Sequence, residues 1–332
     1  TCPRVSFKVL FSLMILTLGS NLILPSVVNA QVVDKQLYLS DPGQGLDRIH
    51  PGLVSPVDNT TSVSETLGGV GDAGTFVAPT DVSNQWGGNN SITPDIAVSG
   101  SGASETVHMV FLGKATGSAK LNIYYSSKTG AGSWTTPVEI SDDGFNQDAQ
   151  SFPSIVVDAS GDAHVVYSHK SGTDSKINIY YVTNSGGSWS TPVSISDDAF
   201  GTDALTPEIA LDSNGDAHVV YHTANSTDAK LNIYYVEETS GTWSSPERVS
   251  DDTFNQNTLT NPAIAVDGSN NVHIAYSHKS GTDAKINLYY VTGTGGSLTA
   301  PVRVSDDTFN QDVQENPSIA VDSNNDPHIV YT

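Results

Sequence analysis

The sequence predicts an all-β protein, a β-propeller of four-stranded antiparallel blades, and three observations lead to this fold class. One unit with a period of about 55 residues occurs four times, and a fifth copy begins near the end of the sequence; periods of this order are typical of propellers and solenoids. Each unit contains short runs of β-branched and aromatic residues separated by turn residues. Four such strands fit one propeller blade.

Two motifs and a proline keep nearly the same spacing in every unit. Ser-Asp-Asp occurs at residues 141–143, 196–198, 250–252 and 305–307. Asn-Ile/Leu-Tyr-Tyr begins at Asn122, Asn178, Asn232 and Asn287. The units open at Pro94, Pro153, Pro207, Pro262 and Pro317. These markers place the blades near residues 94–143, 153–198, 207–252, 262–307 and, in part, 317–332, within a repeat region that covers residues 91–332.

The second unit shows which residues form each predicted strand. Residues 154–158, 163–168, 176–183 and 191–196 are dominated by β-branched and aromatic residues. The first strand is apolar almost throughout, as expected for an innermost strand covered on both faces. Asp158-Ala-Ser-Gly-Asp162 joins the first two strands, and its counterpart Asp212-Ser-Asn-Gly-Asp216 contains the Asn-Gly pair typical of hairpins. Immunoglobulin-like repeats are the alternative fold, but they need about 100 residues and seven strands.

The turn after the third strand ends in a tryptophan in three units. Asn184-Ser-Gly-Gly-Ser-Trp189 has counterparts that end at Trp134 and Trp243, and Leu298 takes this position in the fourth unit. The turn resembles the Asp-box, Ser/Thr-x-Asp-x-Gly-x-Thr-Trp, of secreted sialidase-like propellers, with Asn184 in place of the aspartate. The resemblance covers residues 91–332 and implies a structural turn away from the ligand face. The tryptophans are therefore expected to hold blades together.

Residues outside the repeat divide into a leader and a polar segment. Arg4 and Lys8 precede an apolar run at residues 9–19, and Val28-Asn29-Ala30 forms a small-residue cleavage site, so residues 1–30 are predicted to be a secretory signal peptide. We expect a secreted or cell-surface protein, with an uncleaved membrane anchor as the alternative. The only cysteine, Cys2, lies in this leader. Residues 31–90 are rich in Gly, Ser, Thr, Pro and Asn and are interpreted as a linker, an incomplete blade or a small β appendage.

The fifth unit stops after its second predicted strand, at Thr332, and the chain does not begin with methionine. We therefore expect a fragment with about four and a half blades of a propeller that has roughly six to eight.

The charge of the chain is strongly acidic. The leader contains two of the 14 basic residues and none of the 36 acidic ones, so 12 basic residues against 36 acidic ones leave the mature chain a formal charge of −24. Such a surface repels nucleic acid and anionic membranes. We expect no nucleic-acid partner and no membrane insertion of the mature chain. A soluble extracellular protein, a high-salt medium and a calcium-binding surface all remain compatible with this charge.

Strand alternation predicts where a ligand site would lie. In a four-stranded meander, the loops between second and third strands share one face with the connectors to the next blade. The predicted ligand-binding residues on this face are His169, Asp174, His222, His278, Asp283, Asn146, Asn255 and Asn310. The predicted calcium ligands are Asp142, Asp143, Asp197, Asp198, Asp251, Asp252, Asp306 and Asp307, because calcium prefers carboxylate and amide oxygens. The alternative is that Ser-Asp-Asp is a strand-ending turn in which a side chain bonds its own backbone.

One histidine recurs at the same place on every second strand, at His108, His164, His218, His273 and His328. Rings spaced one per blade do not converge as a zinc site requires, so we interpret them as buried residues that hydrogen-bond between blades. By contrast, His169, His222 and His278 lie at the junction of strand and loop and are expected at the surface. The turn at residues 212–216 is interpreted as a hairpin turn instead of a calcium loop.

The predicted function is a binding module for extracellular glycan or protein ligands, assisted by calcium. Sialidase-like enzymes hold the substrate carboxylate with three converging arginines, whereas this mature chain has Arg48, Arg248 and Arg303, the last two at equivalent outer positions. No catalytic residue is predicted, because no acid stands out from the repeat. A glycoside hydrolase with catalytic residues partly in a missing carboxyl-terminal region is the alternative, and a structural adhesin repeat is the third possibility.

Overall fold

The computed structural model describes residue 82 and residues 89–115, 120–141, 149–170, 176–196, 201–224, 230–250, 261–279, 285–305 and 315–332. These residues form five antiparallel β-sheets and one short 3-10 turn, Gly102–Ser104. The predicted all-β class is therefore confirmed. In these ranges, no helix has the length and apolar character needed to cross a membrane.

The strands follow the repeat. Blade 1 contains β1 (Asn89–Ser99), β2 (Thr106–Lys114), β3 (Asn122–Thr129) and β4 (Val138–Glu139). Blade 2 contains β5 (Ala149–Val157), β6 (Ala163–Lys170), β7 (Ile177–Ser185), β8 (Ser188–Trp189) and β9 (Val193–Ser194). Blade 3 contains β10 (Ala204–Leu211), β11 (Ala217–Ala224), β12 (Leu231–Thr239), β13 (Thr242–Trp243) and β14 (Glu247–Arg248). Blade 4 contains β15 (Ala263–Val266), β16 (Val272–Lys279), β17 (Ile286–Thr294), β18 (Ser297–Leu298) and β19 (Val302–Arg303), and the fifth unit contains β20 (Ser318–Val321) and β21 (Pro327–Val330).

The outer edge of a blade is formed by two short segments. In blade 2 the end of β7 pairs with β8, where Asn184 lies opposite Trp189. The middle of β7 pairs with β9, where Tyr181 lies opposite Val193. The predicted fourth strand is thus shorter than residues 191–196, and the Asp-box-like turn contributes a strand of its own.

The innermost strands of blades 1 to 3 continue through their prolines at a bulge. In blade 3 the pairing register shifts between Leu205 and Glu208. The residue before the proline has a positive φ in four units: Thr93 (49°), Phe152 (48°), Thr206 (49°) and Asn316 (54°). Proline has no N–H group to donate. At the bulge the backbone hydrogen bonds between the two strands are already interrupted, so a proline there removes none of them. The predicted first strand of the second unit, residues 154–158, covers only the part of β5 that follows the bulge, and β5 ends one residue earlier, at Val157.

Consecutive blades pack face to face. The inner strands contact one another in chain order, β1 with β5, β5 with β10, β10 with β15 and β15 with β20. The core between blades 1 and 2 contains Val110, Leu112, Ile123, Tyr125 and Ile140 from blade 1 and Ile155, Ala163, Val165, Tyr167, Tyr180 and Val182 from blade 2. Equivalent cores join blades 2 and 3 and blades 3 and 4. This packing around adjacent inner strands is the arrangement of propeller blades, and the predicted fold is confirmed.

Trp189 and Trp243 pack across these junctions, as expected. The Trp189 ring lies edge-on to Tyr125 of the preceding blade with 4.9 Å between ring centroids, and Trp243 contacts Tyr181 in the same way at 5.0 Å. Leu298 packs against the core between blades 3 and 4. An apolar side chain at this position therefore joins each of blades 2 to 4 to the blade before it.

The aspartate that opens each hairpin turn accepts hydrogen bonds from backbone N–H groups of the same turn. Asp212 Oδ1 accepts the N–H groups of Asn214 (2.8 Å) and Asp216 (2.9 Å), and Gly215 provides the positive φ of 86° that the turn requires. Asp158, Asp267 and Asp322 accept equivalent pairs of N–H groups. The hairpin interpretation of residues 212–216 is confirmed.

Asn270 adds a hydrogen bond between neighbouring turns, and its loss is expected to lower stability. Asn270 has a φ of 64°, and its Oδ1 accepts the N–H of Ser213 in the preceding blade at 3.1 Å. Asn270→Gly keeps this backbone conformation available but removes the bond, so we expect a loss of about 0.5–1.5 kcal/mol. Urea unfolding would measure it. The control is Ser240→Gly, at a φ of 53°, which is expected to be neutral or stabilising. Equal stability of Asn270→Gly and the unsubstituted protein would contradict the prediction.

Candidate functional site

The register brings the start of each inner strand to the end of its second strand. Ala149 pairs with His169 in blade 2, and Ala204 pairs with Thr223 in blade 3. The hairpin turns lie at the opposite end, where Ala163 pairs with Asn184. The chain therefore enters each inner strand and leaves each second strand on one face, as predicted. We call this face the axial end and define it by residues 92–95, 112–114, 151–154, 168–170, 205–208, 222–224 and 277–279.

Most of the predicted site residues lie outside the described residues. These are Asp142, Asp143, Asp197, Asp198, Asp251, Asp252, Asp306 and Asp307 among the calcium ligands, and Asp174, Asp283, Asn146, Asn255 and Asn310 among the ligand-binding residues. Their roles stay predictions. In the part of the chain that the structure describes, no group of three or more His, Cys, Asp or Glu side chains is arranged to hold a metal ion.

The serine of Ser-Asp-Asp has a structural role. Ser250 Oγ accepts the N–H of Ile233 at 3.2 Å and donates to Asn232 Oδ1 at 3.1 Å. Ser141, Ser196 and Ser305 accept the equivalent N–H in their blades. Arg248 donates to the same Asn232 Oδ1 at 2.7 Å, which ties this arginine to its own blade. The serine thus connects the end of the fourth strand to the third strand of the same blade, and its hydrogen-bond partner is a neighbouring strand and not the backbone of its own turn.

His169 and His278 are buried, so the expectation that they lie at the surface is wrong. Both are 0% exposed. The His169 ring lies edge-on to Tyr167 and Tyr180, with centroid distances of 6.3 and 6.4 Å. Its Nδ1 lies 3.0 Å from the carbonyl oxygen of Lys170, to which only a protonated Nδ1 can donate. Both histidines lie on strands that neighbouring sheets cover on both faces, so the buried core extends to the ends of these strands.

His222 is half-buried and belongs to a polar pair at the axial end. Its Nδ1 lies 2.8 Å from Thr206 Oγ1. Burial lowers the pKa of His222 to about 4, so the imidazole is neutral at neutral pH. Leu112, Ser168 and Ser277 occupy the equivalent position in the other blades. His222 is therefore specific to blade 3.

Two carboxylates that sequence reasoning missed also break the repeat. The residue after the unit-opening proline is Asp95, Ser154, Glu208, Ala263 or Ser318. Asp95 is buried, and its Oδ2 accepts the N–H of Ile155 in the next blade at 2.9 Å. Glu208 is half-buried. The expectation that no acid stands out from the repeat is wrong at this position, and a comparison of the residue after each proline reveals it.

The repeated histidines of the second strands hydrogen-bond inside their own blades. The Nδ1 atoms of His108, His164, His218 and His273 lie 2.6–2.7 Å from the hydroxyl groups of Tyr125, Tyr181, Tyr235 and Tyr290 on the third strands. His108, His218 and His273 are buried as predicted, but the partner is in the same blade and not in its neighbour. Burial lowers the pKa of His108, His164 and His218.

The fold and the axial end together define the class of this protein. It is an all-β repeat protein of propeller blades, whose near-identical units differ in their polar residues where the inner strands begin. Asp95, Glu208, Thr206 and His222 place carboxylate, hydroxyl and imidazole groups at this end.

Comparisons with known proteins give remote similarities to solved structures. No family model matches the chain, and no curated protein matches it. An endo-arabinase from Bacteroides thetaiotaomicron VPI-5482 is 13% identical, with 72% of this chain and 88% of that one covered and a TM-score of 0.45. An alpha-L-arabinanase from Penicillium chrysogenum, complexed with arabinobiose, is 12% identical over 72% and 74% of the two chains with a TM-score of 0.49. A GH93 alpha-L-arabinofuranosidase from Fusarium graminearum is 13% identical over 75% and 72% with a TM-score of 0.49.

Proposed function

We propose that the protein is an extracellular binding module whose axial end binds a neutral glycan. The observation that supports this function most is the position of the differences between units. A site for a single ligand needs different groups around it, and Asp95, Glu208 and His222 differ from their counterparts in the other blades. The strand segments beyond the axial end are close copies because they form the repeated cores.

The chemistry of the axial end favours sugar hydroxyl groups. Glu208 offers carboxylate oxygens as acceptors, and the pair of Thr206 and His222 offers a hydroxyl group and a neutral imidazole. The strongly acidic composition, with a formal charge of −22 for the full chain, opposes the approach of anionic ligands. The ligand class is therefore neutral oligosaccharides, and the signal peptide predicted at residues 1–30 supports an extracellular location.

An oligosaccharide array tests this function directly. The purified chain is applied to immobilised neutral, sialylated and sulfated oligosaccharides. We expect retention on a subset of neutral structures that a free competitor of the same structure abolishes. Retention on the sulfated and sialylated structures alone, or on none, would refute the proposal.

Glycoside hydrolysis is the second candidate function, and the pair of acids that breaks the repeat favours it. Glycoside hydrolysis commonly uses two carboxyl groups, one as proton donor and one as base or nucleophile, and we assign one of these roles to Glu208, the half-buried acid at the axial end. Incubation with the bound oligosaccharide distinguishes the candidates. Release of reducing ends that Glu208→Gln abolishes supports the enzyme, whereas an intact oligosaccharide supports a binding module alone.

Calcium is expected to stabilise the protein if the connector aspartates bind it. A cation that binds only the folded state raises the free energy of unfolding by about 3 kcal/mol at 100 times its dissociation constant. Thermal melts with calcium and with chelator would show a higher Tm in calcium, and Asp251→Ala/Asp252→Ala would remove the difference. The control is Asp326→Asn, at an exposed aspartate in the last hairpin turn. Identical melts in calcium and chelator would contradict a calcium site.

A further inference from the structure

One of the repeated histidines on the second strands differs from its counterparts in its hydrogen bonds. His218 is 6% exposed, and in the described part of the chain its buried Nε2 has no hydrogen-bond partner. The equivalent nitrogen of His273 lies 3.3 Å from Asp267 Oδ2, and that of His108 lies 2.9 Å from Ser99 Oγ. A buried polar atom without a partner lowers stability, so this difference in blade 3 requires a physical reason.

Glu237 sets the direction of the hydrogen bonds in blade 3. The Tyr235 hydroxyl group donates to Glu237 Oε2 at 2.8 Å, because an ionised carboxylate can only accept. This hydroxyl group has a single proton, so the bond of 2.6 Å between Tyr235 and His218 Nδ1 takes its proton from the imidazole. A neutral imidazole carries one proton. His218 is therefore the Nδ1–H tautomer, and its Nε2 is an acceptor without a proton.

Blade 4 has the opposite direction. Thr292 takes the position of Glu237 in the register of the second and third strands. In the neutral imidazole of His273, Nε2 donates to Asp267 Oδ2 at 3.3 Å, so Nδ1 accepts the hydroxyl proton of Tyr290 at 2.6 Å. The hydrogen bond of one ring nitrogen thus decides which nitrogen carries the proton, and blades 3 and 4 hold their histidines in opposite tautomers.

The titratable groups around His218 come from its own blade. The carboxylates that act on its ring come from the β10–β11 turn and from β12, and they are Asp212, Asp216, Glu237 and Glu238. Blade 4 adds Asn270 and Gly295 in this region, and neither residue titrates. Burial lowers the pKa of His218, so a second proton on the ring is disfavoured. Burial and the bond to the carboxylate raise the pKa of Tyr235, so its hydroxyl group stays protonated.

We propose that His218, Tyr235 and Glu237 form a proton relay that changes state with pH. A proton binds His218 Nε2, the Nδ1 proton passes to the tyrosine oxygen, and the tyrosine proton passes to Glu237 Oε2. One proton has then entered, Glu237 is neutral, and His218 is the Nε2–H tautomer. No charged imidazole forms in the buried interior, where it would be costly. The new N–H group donates to Asp212, as the equivalent group does to the turn aspartate in blade 4.

The relay lies at the junction of blades 3 and 4, at the end opposite to the axial end, and it does not depend on the proposed glycan binding. The carboxylate of Glu237 lies against blade 4, where a Cβ atom at Gly295 would overlap it. The turn that contains Asp212 contacts the same blade, since Asn270 Oδ1 accepts the N–H of Ser213 at 3.1 Å. Acid therefore removes a charge from this junction and adds a hydrogen bond to the turn beside it.

Nitrogen NMR of the histidine rings tests the relay. The isotope-labelled full chain is titrated from neutral pH downward over the range in which it stays folded, and proton–nitrogen correlations report which ring nitrogen carries the proton. We expect His218 to be the Nδ1–H tautomer at neutral pH and to change to the Nε2–H tautomer on acidification. His273 is the internal reference and should be the Nε2–H tautomer at neutral pH. Protons on both nitrogens of His218 in acid, a proton on its Nε2 at neutral pH, or an unprotonated Nε2 until the chain unfolds would each overturn the proposal.

Two variants separate the relay from a general effect of acid. Glu237→Thr carries the threonine found at this position in blades 2 and 4 and removes the final acceptor. The Tyr235 hydroxyl group then donates to His218, which should be the Nε2–H tautomer already at neutral pH. Glu238→Asn is the matched control, with the asparagine of position 184, because Glu238 accepts a backbone N–H of its own turn instead. It should change tautomer as the unsubstituted chain does. An Nδ1–H tautomer in Glu237→Thr, or no change in Glu238→Asn, would overturn the proposal.

Discussion

Glu208→Ala is expected to weaken glycan binding about 10- to 100-fold while the protein remains folded. A hydrogen bond to a charged group contributes about 1.5–3 kcal/mol, and each 1.4 kcal/mol corresponds to about tenfold in affinity. Alanine is compatible with the fold at this position because Ala263 occupies it in blade 4. Isothermal titration with the oligosaccharide found on the array would measure the dissociation constant, and a thermal melt would verify the fold.

Glu105→Ala is the control for this substitution. Glu105 is exposed beside the turn between β1 and β2, at the end of blade 1 opposite to the axial end, so its removal should leave the affinity unchanged. Asp95→Ser is the companion variant, with the serine found at position 154. It removes the acceptor for the Ile155 N–H and should cost about 1–3 kcal/mol of stability. An unchanged affinity of Glu208→Ala would place the ligand away from the axial end.

Acidification from pH 7 to about 4 is expected to remove several kcal/mol of stability. The pKa of His222 is lowered by burial to about 4 from the ordinary value of 6.5. Below pH 6.5 the unfolded chain therefore binds a proton that the folded chain does not bind. The free energy of unfolding that this histidine contributes above pH 6.5 is lost as the pH falls toward 4. At 1.36 kcal/mol for each pKa unit, His222 contributes at most about 3 kcal/mol. His108, His164 and His218 change stability in the same direction because burial also lowers their pKa values.

Urea unfolding at several pH values checks this dependence. His222→Ser carries the serine found at positions 168 and 277, and it should reduce the slope of stability against pH between 6.5 and 4. Ser168→Ala is the control, because it changes the equivalent position of blade 2 without adding or removing a titratable group, and it should leave the slope unchanged. The lowered pKa of Asp267 acts below about pH 4, outside this window. An unaltered slope in His222→Ser would contradict the assignment.

Features that depend on a few neighbouring residues were predictable from the sequence. The hairpin turn at Asp212 follows from Asn-Gly between apolar runs, since the turn is formed by its own side chain and backbone. The role of Trp189 followed from its recurrence at one place in the unit. The strands of the blade follow from β-branched and aromatic residues bounded by turns. In each case the repeat supplied several independent examples of the same local pattern.

Features that depend on packing between sheets were not predictable in this way. His169 stands next to a loop in the sequence, but a neighbouring sheet covers it, and no local pattern contains that information. The bulge at Thr206 requires a positive φ before proline, which the preference of such residues for extended backbone argues against. Asp95 and Glu208 were missed for a different reason. A repeat is recognised by the residues that its units share, and these two acids are residues in which the units differ.

Each junction between blades 1 to 4 has a core of its own, and this has a consequence for how damage spreads through the protein. The cores between blades 1 and 2, blades 2 and 3, and blades 3 and 4 each contain several aromatic and branched side chains. In repeat arrays each unit contacts its neighbours, so stability is approximately a sum of terms for units and junctions. A cavity made in one of these cores therefore weakens mainly that junction, and local opening should increase most in the two blades beside it.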